Sequence, residues 1–270
     1  MVNYKIKEKY NIDDLLEIMA ILRAPGGCPW DAEQTHESIK SNFIEETYEV
    51  IEAINQQNRE LLLEELGDVL LQVVFHTEME KEKGSFTFSD VADGICKKLI
   101  ERHPHVFGDV KVSGTEEVLS NWDDIKRKSK AQKTQGSSML KVPKELPALM
   151  RAQKIQSKAK KAGFDWDDMS GALTALESEI AELKQAIAAE NRDEITDEFG
   201  DVLFSCVNVA RFIDVDSEEA LTQANEKFIS RYLVVERLAE ERGINMKETS
   251  IDELDKLWDE AKIILKSNRG

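Results

Sequence analysis

Four carboxylates between residues 179 and 201 have the spacing of a cation site. Glu179 and Glu182 stand three residues apart, and so do Glu198 and Asp201 on the following segment. On a helix an i, i+3 pair points to one face, so two neighbouring helices would gather all four acids. Such a cluster repels itself and raises its own pKa values unless positive charge compensates. Hard oxygen donors without histidine or cysteine suit Mg²⁺, with Mn²⁺ as the alternative, rather than zinc. Mg²⁺ also leaves positions open, which the phosphates of a substrate can fill.

A single E-x-x-E on a helix is ordinarily a solvated face. Here the set occurs twice: Glu46, Glu49, Glu65 and Asp68 each lie 133 residues before their counterparts. Other charged pairs recur in the same order. Lys98 and Arg102 correspond to Lys227 and Arg231, i, i+4 pairs able to meet phosphate oxygens. Trp122 and Lys126 correspond to Trp258 and Lys262, an aromatic face beside a cation that can stack a base and hold a phosphate. Duplicated core positions would return as apolar types, whereas these return as charged ones. The copies differ further along the acid stripe. Copy two has Asn208 and Arg211 where copy one has Phe75 and Glu78. A polyanionic substrate favours the more basic site, so copy two is expected to carry most of the activity.

The elements that must position these residues are helices. Apolar positions and strong helix formers place helices at about 36–55, 59–82, 89–103 and 115–130, and again near 171–189, 191–213, 217–242 and 250–266. Pro104 stops the third helix of copy one, whereas its counterpart runs on. Leu176, Ile180, Leu183 and Ile187, with Phe199, Val202, Leu203, Cys206 and Ile213, form apolar stripes expected to face the core. Gly67 and Gly200 sit between the acids of each copy, where close approach of a neighbouring helix is the expected reason. Residues 126–147 are polar and basic with Gly, Ser and Pro, and read as a linker. The expected organisation is all-α: two tandem domains at 1–125 and 148–270.

Composition excludes several classes. A net charge of −17 argues against broad nucleic-acid or anionic-membrane binding. No segment approaches the roughly 18 uninterrupted apolar residues of a membrane span. Cys28, Cys96 and Cys206 are dispersed without a C-x-x-C pair, and the opening residues lack a signal-peptide apolar run. The cytoplasm is the expected compartment.

At this point the residues resemble a known family. "EETYE" (Glu45–Glu49) followed by "ELGD" (Glu65–Asp68) is similar to the E-E-x-x-E…E-x-x-D signature of MazG nucleoside triphosphate pyrophosphohydrolases. "GGCPWDAEQTHESI", "RHPHVFGD" and "ALMRAQKIQ" resemble stretches of tandem-domain MazG proteins, and the likeness covers nearly the whole chain. The resemblance implies tandem four-helix-type domains, a homodimer, and Mg²⁺-dependent cleavage of a nucleoside triphosphate to monophosphate and pyrophosphate. It implies metal ligands at Glu46, Glu49, Glu65 and Asp68, and at Glu179, Glu182, Glu198 and Asp201; the charge difference between the copies makes the second set the expected catalytic one. Lys227, Arg231 and Lys262 would bind phosphates and Trp258 would help form the nucleotide pocket. One departure stands out: Ser178 replaces the first glutamate of the signature, Glu45 in copy one. It is tolerable because that position points about 100° from the acid face.

Three rivals remain. A di-iron bundle needs two helical E-x-x-H motifs, and only Glu33–His36 fits that spacing locally. A non-catalytic nucleotide sensor conflicts with intact ligand sets in both copies. A hydrolase of the same chemistry with a narrow base choice, such as one for dUTP or dCTP, stays open.

Overall fold

A computed structural model of the chain describes residues 4–115, 117–118, 121–122, 125 and 135–267. Its regular elements are all helical, as expected. The chain divides into two compact units, Met1–Lys130 and Ala131–Gly270. Unit 1 contains α1 (Ile12–Arg23), α2 (Pro29–Glu33), α3 (His36–Asn55), α4 (Arg59–Glu82), α5 (Phe88–Arg102) and α6 (Pro104–Phe107). Unit 2 contains α7 (Gln135–Met139), α8 (Ala148–Lys161), α9 (Met169–Ala188), α10 (Arg192–Phe212), α11 (Ser217–Glu241) and α12 (Ile251–Ser267). Most of the helix expected at 115–130 lies outside the described residues. So does the first part of the segment read as a linker; its later part folds onto unit 2, with Ser138 and Val142 buried. No described helix is long and apolar enough to cross a membrane.

The central piece of each unit is an antiparallel helical hairpin, α3–α4 and α9–α10, and the repeat holds in it to the backbone. Thr35 and Asp168, 133 residues apart, cap the first helices through their side-chain oxygens. Gln57 and Glu190 then take left-handed φ values of 53° and 55°. A left-handed residue is the usual way to end a helix, though glycine normally fills it. Asn58 and Asn191 follow at once and start the next helix by accepting backbone N–H bonds on Oδ1. Ala53 and Ala186, buried beneath these turns, let the paired helices approach closely.

Packing outside the hairpins differs. In unit 1, α1 covers its hairpin through Met19, Ile39, Val74, Phe75 and Met79. In unit 2, the main apolar cluster instead joins α11 to α12 through Val234, Val235, Leu238, Leu257 and Ala261. The expected core stripe of α9–α10 is therefore corrected. Leu176, Leu183 and Val202 are half-buried, but Ile180, Ile187, Phe199, Leu203, Cys206 and Ile213 are exposed. The buried edge of α10 is Ser205 and Val207, because α8 packs there and Gln156 Nε2 donates to the Phe204 carbonyl at 2.8 Å. The reading of Gly67 and Gly200 is corrected too: a Cβ at either would meet no atom within 4 Å. Gly200 faces an open cleft rather than a packed neighbour.

The two asparagine caps are unequal. Asn58 Oδ1 receives two N–H donors at 3.2 Å, from Glu60 and Leu61; Asn191 Oδ1 receives one, from Glu194, at 3.5 Å. In urea denaturation Asn58→Ala should cost about 1 kcal/mol and Asn191→Ala less. An equal or larger loss at Asn191 would contradict this ranking.

Candidate metal and nucleotide site

The hairpins bring the acids together in both units. In unit 2, α9 supplies Glu179 and Glu182 and α10 supplies Glu198; one carboxylate oxygen from each lies within 4.8 Å of the others. In unit 1, Glu46 and Glu49 of α3 meet Glu65 of α4 within the same limit. Glu65 is buried, Glu46, Glu179 and Glu198 are half-buried, and Glu49 and Glu182 are exposed. Asp68 and Asp201 fall outside these tight triads yet act on them electrically. Burial first, then Asp68 and Glu49, raises the Glu46 pKa. Burial followed by Glu182 and Asp201 does the same to Glu179. Glu65 and Glu198 are likewise raised by burial, then by the neighbouring acids. Beside Asp201 opens a cleft of about 570 Å³ whose lining includes Glu194, Asp197 and Gly200.

This donor set fits a hard divalent cation. Each triad offers only carboxylate oxygens, close enough to share one ion, and without an ion each resists full ionisation. Those are the two properties a Mg²⁺ site needs: oxygen ligands and uncompensated negative charge. Ser178, where copy one has Glu45, also has a place here. Its hydroxyl donates to Glu182 Oε1 at 3.0 Å. The sequence reading turned position 178 away from the site and missed this bond; the i, i+4 spacing of Ser178 and Glu182 was the available signal.

The other expected site residues divide into groups. On the α11–α12 hairpin, the Arg231 guanidinium lies 5.7 Å from the Trp258 ring centre, and the Phe228 ring is 5.1 Å from it. Lys227 on the same helix is exposed, and Lys262 Nζ bonds Asp259 Oδ1 at 2.8 Å. In unit 1, Lys98 is exposed and Arg102 half-buried. Trp122 packs edge-on against His103 at 4.8 Å between ring centres. Lys126 lies outside the described residues.

Asn208 and Arg211 come together, but with each other and with Asp165. Arg211 Nη1 donates to Asp165 Oδ2 at 3.0 Å, Nη2 bonds the other carboxylate oxygen, and Nε donates to Asn208 Oδ1 at 3.2 Å. Both partners of the ion pair are largely buried. Burial opposes ionisation of Asp165, yet the Arg211 guanidinium outweighs it and holds the carboxyl below its ordinary range. This guanidinium ties α10 to the loop before α9. Asp165 was missed in the sequence because nothing local marks a partner 46 residues away.

The chain is similar in sequence to known nucleotide pyrophosphohydrolases. The model of the MazG nucleotide pyrophosphohydrolase domain matches twice, at residues 34–107 and 169–236. A Thermotoga maritima protein named nucleoside triphosphate pyrophosphohydrolase/pyrophosphatase MazG is 46% identical over 93% of this chain and 95% of its own length. An Escherichia coli K12 nucleoside triphosphate pyrophosphohydrolase is 43% identical over 93% of the chain and 97% of its own. An uncharacterized Bacillus subtilis protein is 48% identical over 91% of this chain and half of its own length.

Two outcomes follow from the charges. Arg211→Ala leaves the Asp165 carboxylate unpaired and should cost about 3 kcal/mol of stability, and with α10 freed from the loop before α9 it should weaken Mn²⁺ binding at Glu179, Glu182 and Glu198. An unchanged melting curve would show that the ion pair holds nothing. The second outcome concerns the raised carboxyls. With no cation present they keep protons in the folded chain after the unfolded chain has lost them, so stability falls as pH rises through their raised values. The melting temperature of cation-free protein should decline above the ordinary glutamate value of 4.5, and saturating Mg²⁺ should abolish that decline. A midpoint that climbs over this window and ignores Mg²⁺ would contradict it.

Proposed function

The chain belongs to the MazG nucleotide pyrophosphohydrolase family, and on that premise we propose that it cleaves nucleoside triphosphates at the α–β bond, with Mg²⁺, to the monophosphate and pyrophosphate. The observation that carries this reading is the three-carboxylate cluster, formed twice by the same helical hairpin. Glu179, Glu182 and Glu198, with Asp201 beside them, would hold the cation in unit 2; Glu46, Glu49 and Glu65, with Asp68, would do so in unit 1. Mg²⁺ bound there supplies positive charge against the triphosphate and the charge that grows on the leaving pyrophosphate. A cluster carboxylate takes the proton of the attacking water at one of its oxygens. The water oxygen bonds the α-phosphorus, the bond to the bridging oxygen breaks, and pyrophosphate leaves with its electron pair. Lys227 and Arg231 meet phosphate oxygens, and the exposed Lys262–Asp259 pair can open to add a third cation. Trp258, flanked by Phe228 and Arg231, offers a face for the base.

Unit 2 is the more active of the two in this reading. Support now comes from the Arg231–Trp258 pair rather than from Asn208 and Arg211, which are engaged with Asp165. In unit 1 the corresponding tryptophan, Trp122, is engaged with His103. The active form is a homodimer. Exposed apolar residues recur at equivalent places on both hairpins: Ile54 with Ile187, Leu66 with Phe199, and Leu70 with Leu203. A hairpin with one apolar face left open is completed by a second copy of itself, giving four helices. The unpaired cysteines accord with the cytoplasm, and the net charge of −17 argues against broad nucleic-acid binding.

The test is a panel of canonical and damaged nucleoside triphosphates with Mg²⁺, scored for monophosphate and pyrophosphate together. Release of orthophosphate instead would overturn the α–β assignment, and no product from any member would leave only the sensor reading. Within the panel, Glu198→Ala should lower turnover by at least about 100-fold, the order expected when metal binding is disturbed. Glu65→Ala should cost less, and the reverse ranking would reassign the activity to unit 1.

A further inference from the structure

Unit 1 contains a polar chain that the proposed reaction does not use. His36 begins α3, and His76 and Glu80 lie one turn apart on α4. His36 Nδ1 is 2.7 Å from His76 Nδ1, and His36 Nε2 is 2.7 Å from Glu80 Oε1. The imidazole planes are within 5° of parallel. That alignment and the short nitrogen–nitrogen distance set the rings edge to edge, joined by one hydrogen. The far oxygen side is anchored as well: Lys83 Nζ donates to Glu80 Oε1 at 2.7 Å.

Only one of two nitrogens facing each other at this distance can carry a hydrogen. If His36 is neutral, its Nε2–H donates to Glu80 and its bare Nδ1 accepts from His76. If His36 is charged, both its nitrogens donate and His76 Nδ1 is bare. Either way the chain is satisfied, so it tolerates one added proton. A second proton sets two N–H groups against each other and two positive rings side by side. Burial, then the adjacent His36, holds His76 below the ordinary histidine range, so its neutral form is the one the fold prefers. Stability from that preference is present above the ordinary histidine pKa and is lost as pH falls below it. Other charges face the pair. Glu37 adjoins His36 on α3, Lys83 shares Glu80, and Arg23 of α1 bonds Glu82 of α4 at 2.6 Å. Of these groups Glu80 bonds His36 Nε2, and none of them bonds His76.

The position of this chain gives it a consequence. It joins α3 to α4 at the end of the hairpin opposite the Gln57–Asn58 turn, with Glu46, Glu49 and Glu65 between the two fastenings. Unit 2 has Met169, Val209 and Ile213 at the equivalent places, each 133 residues on, and fastens its hairpin through Arg211 and Asp165, which keep their charges near neutrality. We propose that His36, His76 and Glu80 form a one-proton latch that positions the unit 1 carboxylates, so that a second proton opens the hairpin and releases the cation from unit 1 but not from unit 2. The metal clause rests on the reading under Proposed function; the latch does not.

The experiment uses the full chain carrying Glu198→Gln, which disables the unit 2 cluster. Mn²⁺ binding by electron paramagnetic resonance and imidazole ¹⁵N shifts are followed over the same pH series. Below the pH at which the second proton enters the pair, itself below the ordinary histidine range, Mn²⁺ affinity should fall by about tenfold per pH unit beyond the decline seen in a variant that also carries His36→Met and His76→Val. The ¹⁵N shifts should show the two protons entering the pair in separated steps. Two independent, ordinary histidine titrations would overturn the latch, as would identical Mn²⁺ profiles in the two proteins. If neither protein binds Mn²⁺ at any pH while the imidazoles titrate in two separated steps, the metal reading fails and the latch stands. Should the double variant fail to fold, His36→Gln, which keeps a donor and removes the titration, takes its place with the same expected flattening.

Discussion

Three carboxylate oxygens held within 4.8 Å of one another repel, and the rest of each unit is arranged around that cost. A flexible chain would let the acids separate. Here they cannot, because two come from one helix and the third from its antiparallel neighbour. The turn between those helices is fixed by a left-handed residue and an asparagine cap in both units. Burial first, then the neighbouring acids, raises the pKa values of Glu46, Glu65, Glu179 and Glu198. The scaffold therefore carries in advance part of the electrostatic cost that the proposed cation site would require.

Such a hairpin has two ends, and the turn secures only one. Each unit secures the other end with a polar tie that reaches α4 or α10 from elsewhere, but the chemistry differs. Arg211 and Asp165 are both charged at neutral pH and both largely buried, a pairing whose disruption is costly. The histidine pair with Glu80 is conditional on proton count. One duplicated backbone thus carries a fixed fastening in one unit and a titrating one in the other. The helices α3 and α9 match to the residue and α4 and α10 match at their starts, while the ties do not, which is where two copies of a fold can acquire different conditions for the same chemistry.

The hairpins were legible in the sequence because they rest on local rules. Helix periodicity, the Pro104 stop and the doubled E-x-x-E and E-x-x-D spacing all act within a few residues, and α3, α4, α9 and α10 lie within a few residues of where the pattern puts them. The turns were less visible, since Gln57 and Glu190 stand where glycine would have announced a left-handed cap. Side-chain ties were not visible at all. Asp165 and Arg211, or His36 and His76, are joined by tertiary placement, and no spacing rule connects them. The apolar stripes failed for a different reason. Periodicity reports that a face is apolar, not which surface covers it, and Phe199 and Leu203 are apolar yet exposed in the single chain.

That last failure bears on the glycines as well. Gly67 and Gly200 follow Leu66 and Phe199 directly, on helices where Leu70 and Leu203 continue the exposed apolar row. Beyond their own stretch of helix, no atom lies within 4 Å of where their Cβ atoms would be, so no neighbouring element of the single chain offsets the roughly 1 kcal/mol that glycine costs a helix. It is repaid if another helix, or a ligand in the cleft beside Asp201, comes close to the backbone there. Metal-binding acids and self-association would be two demands on one hairpin, met on different faces of it, and a side chain at either glycine would intrude on the boundary between them.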